Sequence, residues 1–196
     1  MITIIDSGGA NIASIQFALE RLGVGAELSS DADIIKKSSH IILPGVGSAG
    51  SAMKRLSDHA LVTVIRSLTQ PVLGICLGMQ LLFDYSEEDG VDCLGIISGK
   101  VRKMSTDGKE LVVPHMGWNT LNISEGKRIM QNVPNNSYAY FIHSYAVPVD
   151  SYTSATACYG ETFTAAVQQG NFYGTQFHPE RSGAIGALML KNFLEL

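Results

Sequence analysis

The run Ile2-Thr3-Ile4-Ile5 is apolar-rich at consecutive positions, the pattern of a strand buried on both faces. Behind it, Ile12, Ile15, Leu19 and Leu22 fall on one face of a helix predicted over Asn11 to Leu22. Ile41 to Leu43 repeats the strand pattern, Ala26 to Ser29 repeats it more weakly, and Pro71 restarts the chain as Val72-Leu73-Gly74-Ile75. Between them Met53, Leu56, Ala60, Leu61, Val64, Ile65 and Leu68 form a second helical stripe, with a break expected near Ser57-Asp58. Buried strands alternating with helical stripes constrain the fold strongly. They predict a doubly wound α/β arrangement: a mostly parallel central sheet with helices on both faces.

From about Gly95 to Phe177 the apolar runs become short and β-rich. They are separated by turn signals such as Asp107-Gly108, Glu125-Gly126, Pro134-Asn135-Asn136 and Gln169-Gly170-Asn171. Antiparallel strands and hairpins are expected there. A closing helix is expected after Ser182, with Ile185, Leu188, Met189 and Phe193 facing inward. No repeat, low-complexity segment or linker divides the chain, so residues 1–196 read as one domain. A domain of this size buries roughly 70% of its unfolded surface without disulfides or metal.

The formal charge is -4, with Lys and Arg scattered, which argues against nucleic acid or an anionic membrane as partner. Cys76, Cys93 and Cys158 lie far apart and lack zinc-ligand spacing, so neither a disulfide framework nor a metal site is predicted. The opening MITIID has no signal-peptide character, and no apolar run approaches the ~20 residues of a membrane span. A soluble, cytoplasmic protein is expected.

Gly74-Ile75-Cys76-Leu77-Gly78-Met79-Gln80 follows a strand and precedes a helix predicted over Leu77 to Asp84. This is a strand, sharp turn and helix with cysteine at the nucleophile position. The flanking glycines relieve crowding in a tight turn, and the start of a helix favours thiolate. A buried cysteine acting as a small hydrophobe is the alternative. Cys93 and Cys158 lack such a setting and read as packing residues.

Gln176-Phe177-His178-Pro179-Glu180-Arg181 follows another β-like run. Pro179 pushes His178 toward an extended conformation, in which residues two apart point to the same side. His178 and Glu180 can then lie together, the carboxylate fixing the imidazole tautomer while the other nitrogen faces a thiol. A strand-end histidine beside a surface glutamate is the bland alternative. Pro44-Gly45-Val46-Gly47-Ser48 also joins a strand to a helix, and its N–H groups with that of Leu77 could bind a tetrahedral oxyanion. It is equally a plain glycine-rich turn. It lacks the Lys-Ser/Thr ending of a phosphate loop, so no nucleotide or other cofactor is expected.

The blocks PGVG, GICLGMQ and QFHPE, in this order and spacing, resemble the class I, triad-type glutamine amidotransferases. Pro114-His115-Met116-Gly117-Trp118-Asn119, Phe141-Ile142-His143-Ser144-Tyr145, the opening Ile5 to Asn11 and the ending His178 to Gly183 are similar to glutaminase subunits of imidazole glycerol phosphate synthases. The resemblance spans essentially the whole chain and implies a flavodoxin-like architecture. It implies Cys76, His178 and Glu180 as the triad, and Gly45, Val46, Gly47 and Leu77 as the oxyanion region, where Gly45-Val46 rearranges before the hole forms. Gln80 and Glu88 match glutamine-holding positions, and the His143-Ser144-Tyr145 backbone a strand that grips the amino-acid end. Asn11, Met116, Trp118 and Arg181 match the partner face. Taken alone, Glu88 reads equally well as a solvated loop carboxylate, and Met116 and Trp118 as core residues. The opening SGGAN departs from the Tyr-Gly-x-Gly-Asn of many relatives at Ser7 and Ala10.

The implied partner is a TIM-barrel cyclase subunit in a 1:1 heterodimer serving histidine biosynthesis, with ammonia channelled between sites and hydrolysis under allosteric control. A γ-glutamyl peptidase, or a glutaminase for another synthase, would keep the Cys, His and Glu but should not need PHMGWN. A silent binding module would keep the fold without the triad.

Overall fold

The computed structural model describes residues 1–6, 12–105, 111–124 and 126–196. Its first half runs β1 (Ile2–Ile5), α1 (Ile12–Arg21), β2 (Ala26–Ser29), α2 (Ala32–Lys37), β3 (His40–Leu43), α3 (Ala49–Asp58), α4 (Leu61–Arg66), β4 (Val72–Ile75) and α5 (Leu77–Gln80). Short strands β5 (Phe83–Ser86), β6 (Val91–Asp92), β7 (Ile97–Lys103), β8 (His115–Thr120) and β9 (Asn122–Ile123) follow. The chain ends with β10 (Tyr138–His143), β11 (Tyr145–Ala146), β12 (Thr153–Tyr159), β13 (Glu161–Gln169), β14 (Phe172–Thr175) and α6 (Gly183–Leu194).

Among the described residues the main sheet has eight strands in the order β2-β1-β3-β4-β14-β13-β12-β9. Pairing is parallel from β2 to β14 and antiparallel from β14 to β9. Alternate strand side chains feed two apolar layers. Ile2, Ile4, Ile42, Leu73 and Ile75 pack with Ile15 and Leu19 of α1 and Met189 and Phe193 of α6. Ile5, Ile41, Leu43 and Val72 pack on the other face with Ile35, Met53, Leu56, Leu61 and Ile65 of α2, α3 and α4. Helices therefore cover both faces. A two-stranded ribbon, β10-β8, and a four-stranded sheet, β11-β7-β5-β6, flank this body.

Several expectations are corrected. The helix after Cys76 ends at Gln80 rather than Asp84, and Phe83 begins a strand. The carbonyls of Leu81, Leu82 and Phe83 accept N–H groups from Leu94, Ile96, Ile97 and Gly95, so a long-range loop takes the acceptors a continuing helix would use. A short apolar run cannot be assigned to helix or strand by periodicity alone. The break in the second stripe comes at His59-Ala60, where Ala60 has φ 54, slightly later than Ser57-Asp58. Helix α2 escaped the periodicity because only Ile35 is buried; its signal is the cap Asp31, whose Oδ1 accepts the N–H groups of Asp33 and Ile34.

The β-rich second half is not wholly antiparallel. Strand β14 lies parallel to β4, and β7 parallel to β5. The turn at Gly170 (φ 58) joins β13 to β14 as the turn signal predicts. Ser7 to Asn11, Asp107-Gly108 and Glu125 lie outside the described residues, and with them the Asn11 expectation and the departure at Ser7 and Ala10.

Candidate active site

Strand β4 is wholly buried, and the chain reverses at its end. Cys76 takes φ 53 and ψ -112 there, a conformation that costs an L-residue on the order of 1–3 kcal/mol. The turn is held from three sides. Cys76 N–H donates to the Thr175 carbonyl at 2.7 Å, at the end of neighbouring β14. A Cβ on Gly78 would overlap the Leu43 carbonyl oxygen, and one on Gly45 would overlap Leu77. These glycines let the end of β3, the Pro44–Ser48 loop and the cysteine turn interlock at backbone contact distance. The Cys76 sulfur sits 3.7 Å from the Ile142 carbonyl and 3.7 Å from the Gln176 side-chain nitrogen.

His178 arrives from β14. Register pairs Gly174 with Gly74 and Thr175 with Ile75, so the residues after both strands emerge at one edge. His178 N–H donates to the Tyr140 carbonyl at 2.9 Å, and the Ser182 hydroxyl donates to the His178 carbonyl at 2.7 Å. Its Nδ1 lies 2.8 Å from Glu180 Oε1, whose side chain is fully enclosed. A carboxylate accepts only, so the proton resides on Nδ1 and Nε2 is the basic nitrogen. Nε2 is buried and makes no hydrogen bond among the described residues, and Cys76 lies close enough for its charge to act on the ring. Burial alone would lower the ring's pKa, but the interactions with Cys76 and Glu180 outweigh it and raise it. The juxtaposition of His178 and Glu180 does not come from extended backbone as predicted. His178 is extended, but Pro179–Arg181 forms a 3-10 turn that curls the carboxylate back.

A small cavity of about 110 Å³ opens beside the sulfur, lined by Gly47, Cys76, Leu77, Gln80, Glu88 and the segment Ile142, His143, Ser144 and Tyr145. A larger cleft of about 650 Å³ beside Arg102, Val147 and Phe163 is separate from these residues. Gln80 is buried and donates to the Tyr145 carbonyl and the Gln176 side-chain oxygen, both at 2.9 Å. Glu88 is half-buried and accepts the Ala49 N–H at 2.9 Å, so it is not a solvated loop carboxylate. Its desolvation raises its pKa, against the Ala49 hydrogen bond and with the Asp89 charge. Leu77, first in its helix, has no intrahelical acceptor for its N–H. Gly45 packs against Leu77-Gly78 instead of lining the cavity.

The family model for class-I glutamine amidotransferases matches residues 3–196. The chain is 50% identical over 196 residues to the imidazole glycerol phosphate synthase subunit HisH 2 of Legionella pneumophila, covering 100% of this chain and 98% of that one. It is 52% identical over 196 residues to subunit HisH of Shigella flexneri, covering 100% and 99%. The chain belongs to the class-I glutamine amidotransferases, within the HisH family. A crystal structure of a glutamine amidotransferase superposes with a TM-score of 0.75 at 19% identity, covering 99% of this chain and 97% of that one, a likeness of fold.

In this amidotransferase the β8–β10 ribbon turns an apolar face outward. Trp118 is 56% exposed and Met116 61%, which rules out the core reading for both. Tyr138 and Ile142 of β10 share that exposed face, and Arg181 is exposed. Cys93 is buried, its thiol pushed up to about 11 by burial and then by the Asp92 and Glu88 charges. Cys158, expected as a packing residue, is exposed on β12. Among the described residues no His, Cys, Asp and Glu cluster is placed to hold a metal ion, and no helix is long and apolar enough to cross a membrane. Sequence reasoning missed two side chains of the HisH fold. Gln176 bridges Gln80 and the Cys76 sulfur, and Arg55 donates to the Val46 carbonyl at 2.7 Å. Gln176 opens the QFHPE block, a signal that was available; Arg55 looks like any helical surface cation.

Proposed function

We propose that this chain hydrolyses glutamine to glutamate and ammonia through a thioester on Cys76. In this reading the thiol proton already rests on His178 Nε2, whose raised pKa favours the ion pair, and the Cys76 thiolate attacks the side-chain amide carbon. Oxygen becomes an oxyanion facing the N–H of Leu77 and the Gly45–Gly47 loop. His178 returns the proton to the departing nitrogen, and ammonia leaves. Water, deprotonated by the same nitrogen, then adds to the thioester, releasing glutamate and restoring the ion pair. Glu180 holds the Nδ1 proton and stabilises the imidazolium. Glutamine would lie along Ile142–Tyr145, with Gln80 and Glu88 closing the cavity. The observation that carries this reading is the meeting of the Cys76 turn with the His178–Glu180 pair at the ends of paired strands β4 and β14.

The ammonia is delivered to a TIM-barrel cyclase subunit, bound 1:1, which forms imidazole glycerol phosphate and an aminoimidazole carboxamide ribotide in histidine biosynthesis. The subunit names of the relatives support this assignment. The exposed Met116–Trp118 face, with Arg181, is the docking surface, and partner binding completes the oxyanion site. The parallel pairing and two-sided helical cover support a doubly wound, flavodoxin-like body. The family match over residues 3–196 supports one domain. A cytoplasmic setting fits a biosynthetic subunit.

Glutamate release should be measured with and without the cyclase and its nucleotide ligand. Release that rises with both, and a glutamyl adduct on Cys76 after acid quench, are expected. Equal release from a Cys76→Ala chain would defeat the mechanism.

A further inference from the structure

Strand β10 changes partners at the cavity. Its pairing with β8 ends at His143 opposite His115, and the next pairing, Tyr145 with Lys103, belongs to β11 and β7. The turn between them, His143 to Tyr145, forms one wall of the cavity. At the switch the turn keeps a backbone bond, from the Met104 N–H to the Ser144 carbonyl at 3.0 Å, and side chains supply the rest of its support.

They form a chain of one direction. His143 Nδ1 lies 2.8 Å from the Tyr145 carbonyl, which only accepts, so Nδ1 carries hydrogen. Burial lowers the pKa of His143 to about 3 and of His115 to about 4, so both rings are neutral. His143 Nε2 is then an acceptor, and His115 Nδ1, 3.0 Å away, must donate to it. His115 Nε2 is an acceptor in turn, facing the Asn119 amide nitrogen at 3.4 Å; that amide also donates to the Cys158 carbonyl at 2.9 Å. The His115 ring is clamped between Tyr159, 4.1 Å between centroids, and Phe141, 5.0 Å. At the far end the Tyr145 carbonyl also receives Gln80. The chain thus links the strand of Met116 and Trp118 to the cavity wall, with Gln80 and Gln176 standing between it and Cys76.

We infer that His115 and Asn119 are positioning residues for the glutamine pocket, their hydrogen-bond chain through His143 to the Tyr145 carbonyl setting the strand that grips the substrate. This rests on the glutaminase reading.

Three substitutions separate hydrogen bonding from packing. An asparagine amide nitrogen overlays the place of Nδ1, whereas a glutamine amide overlays Nε2. His115→Asn therefore keeps the donor to His143, while His115→Gln and His115→Phe lose it. KM for glutamine should rise about tenfold, or about 1.4 kcal/mol, in His115→Phe and His115→Gln. It should stay within about threefold of the parent in His115→Asn, and kcat should change less than about threefold in all three, because one hydrogen bond is at stake and it lies off the reacting atoms. An equal KM in all three variants, or an unmoved KM with a lower Tm, overturns the inference. The ring nitrogens of His143 test it without turnover. 15N shifts should place hydrogen on Nδ1 in the parent and in His115→Asn, with Nε2 shifting in His115→Phe. Hydrogen on Nε2 in the parent overturns the inference whatever the assay gives. The expected tautomers in a chain that turns over no glutamine even with the cyclase and its nucleotide ligand bound overturn the glutaminase reading instead.

Discussion

Cys76 donates its backbone N–H to the Thr175 carbonyl at 2.7 Å, at the point where β4 and β14 both end. This one bond explains how distant segments share a site. Parallel strands in register deliver their following residues to the same edge, as ligand sites of open α/β sheets require. The bond also holds Cys76 at φ 53, where an L-residue is strained.

That strain gives the first prediction. Cys76→Ala and Cys76→Gly should both abolish glutamate release. The glycine variant should nonetheless be more stable than the alanine variant by about 1 kcal/mol, because relief at this φ and ψ exceeds the entropic cost of glycine. Urea denaturation of the two compares them directly. A glycine variant of equal or lower stability would mean the turn is unstrained.

Glu180→Gln should lower the pKa of His178, since it removes one of the groups that raise it. A raised folded pKa contributes stability that is full below the ordinary value of 6.5 and is lost as pH rises through the folded pKa. The variant's stability deficit should therefore be largest below pH 6.5 and shrink in alkali. Chemical denaturation across pH, with an NMR titration of the His178 ring, checks both signs. Glutamate release should fall by about 10²-fold or more, in line with losing the group that orients a general base.

Gly78→Ala would drive a methyl group into the Leu43 carbonyl, and backbone cannot move as a side-chain tip can. A loss of about 1–3 kcal/mol is expected, the range for overpacking, together with reduced turnover from a displaced Pro44–Ser48 loop. Gly25→Ala, with open space around it, is the control and should change stability by less than about 0.5 kcal/mol. Thermal melts of the pair decide it.

Much of this site was legible in short motifs whose backbone demands are local. Gly78 and Gly45 are glycines because they touch carbonyl and side-chain atoms of a neighbouring segment, and such positions stand out in sequence. His178 and Glu180 were legible as a pair, yet the conformation inferred for them was wrong, because one proline suits a 3-10 turn as well as a strand. The pairing of His115 with His143 was not legible: it depends on the register of β8 against β10, which no local pattern sets. Leu81 to Phe83 misled for the same reason, their carbonyls being claimed by a loop beyond them. The exposure of Trp118 was visible only through the family resemblance, since alternation on a ribbon does not say which face is wet.

The buried histidines should make the fold acid-sensitive. Burial depresses the folded pKa of His115 to about 4 and of His143 to about 3, against 6.5 for a free ring. Unfolded chains bind these protons first, so stability held above pH 6.5 should be lost as pH falls toward 4. The His178 contribution is already full in that window and does not offset the loss. The urea midpoint should drop from pH 6.5 to 4.5, and His115→Asn should flatten the slope by removing one titrating group. An unchanged slope would place the titration elsewhere.

Trp118 offers a cleaner separation of folding from binding. It is 56% exposed and its one described ring contact is edge-on to Tyr140 at 5.9 Å, so the isolated chain gains little from it. If the β8–β10 face docks the cyclase, the indole becomes a large apolar anchor removed from water on both sides, the kind of residue whose truncation costs about 2 kcal/mol or more in binding. Trp118→Ala should then leave the Tm of the free chain within about 2 °C, a shift of about 0.5 kcal/mol in a domain of this size, while weakening cyclase binding by about thirtyfold. Calorimetric titration of the cyclase into parent and variant, beside thermal melts of each, reads the two effects separately. Unchanged affinity would move the docking surface away from this ribbon, whereas an unfolded variant would mean that the indole supports the fold despite its exposure.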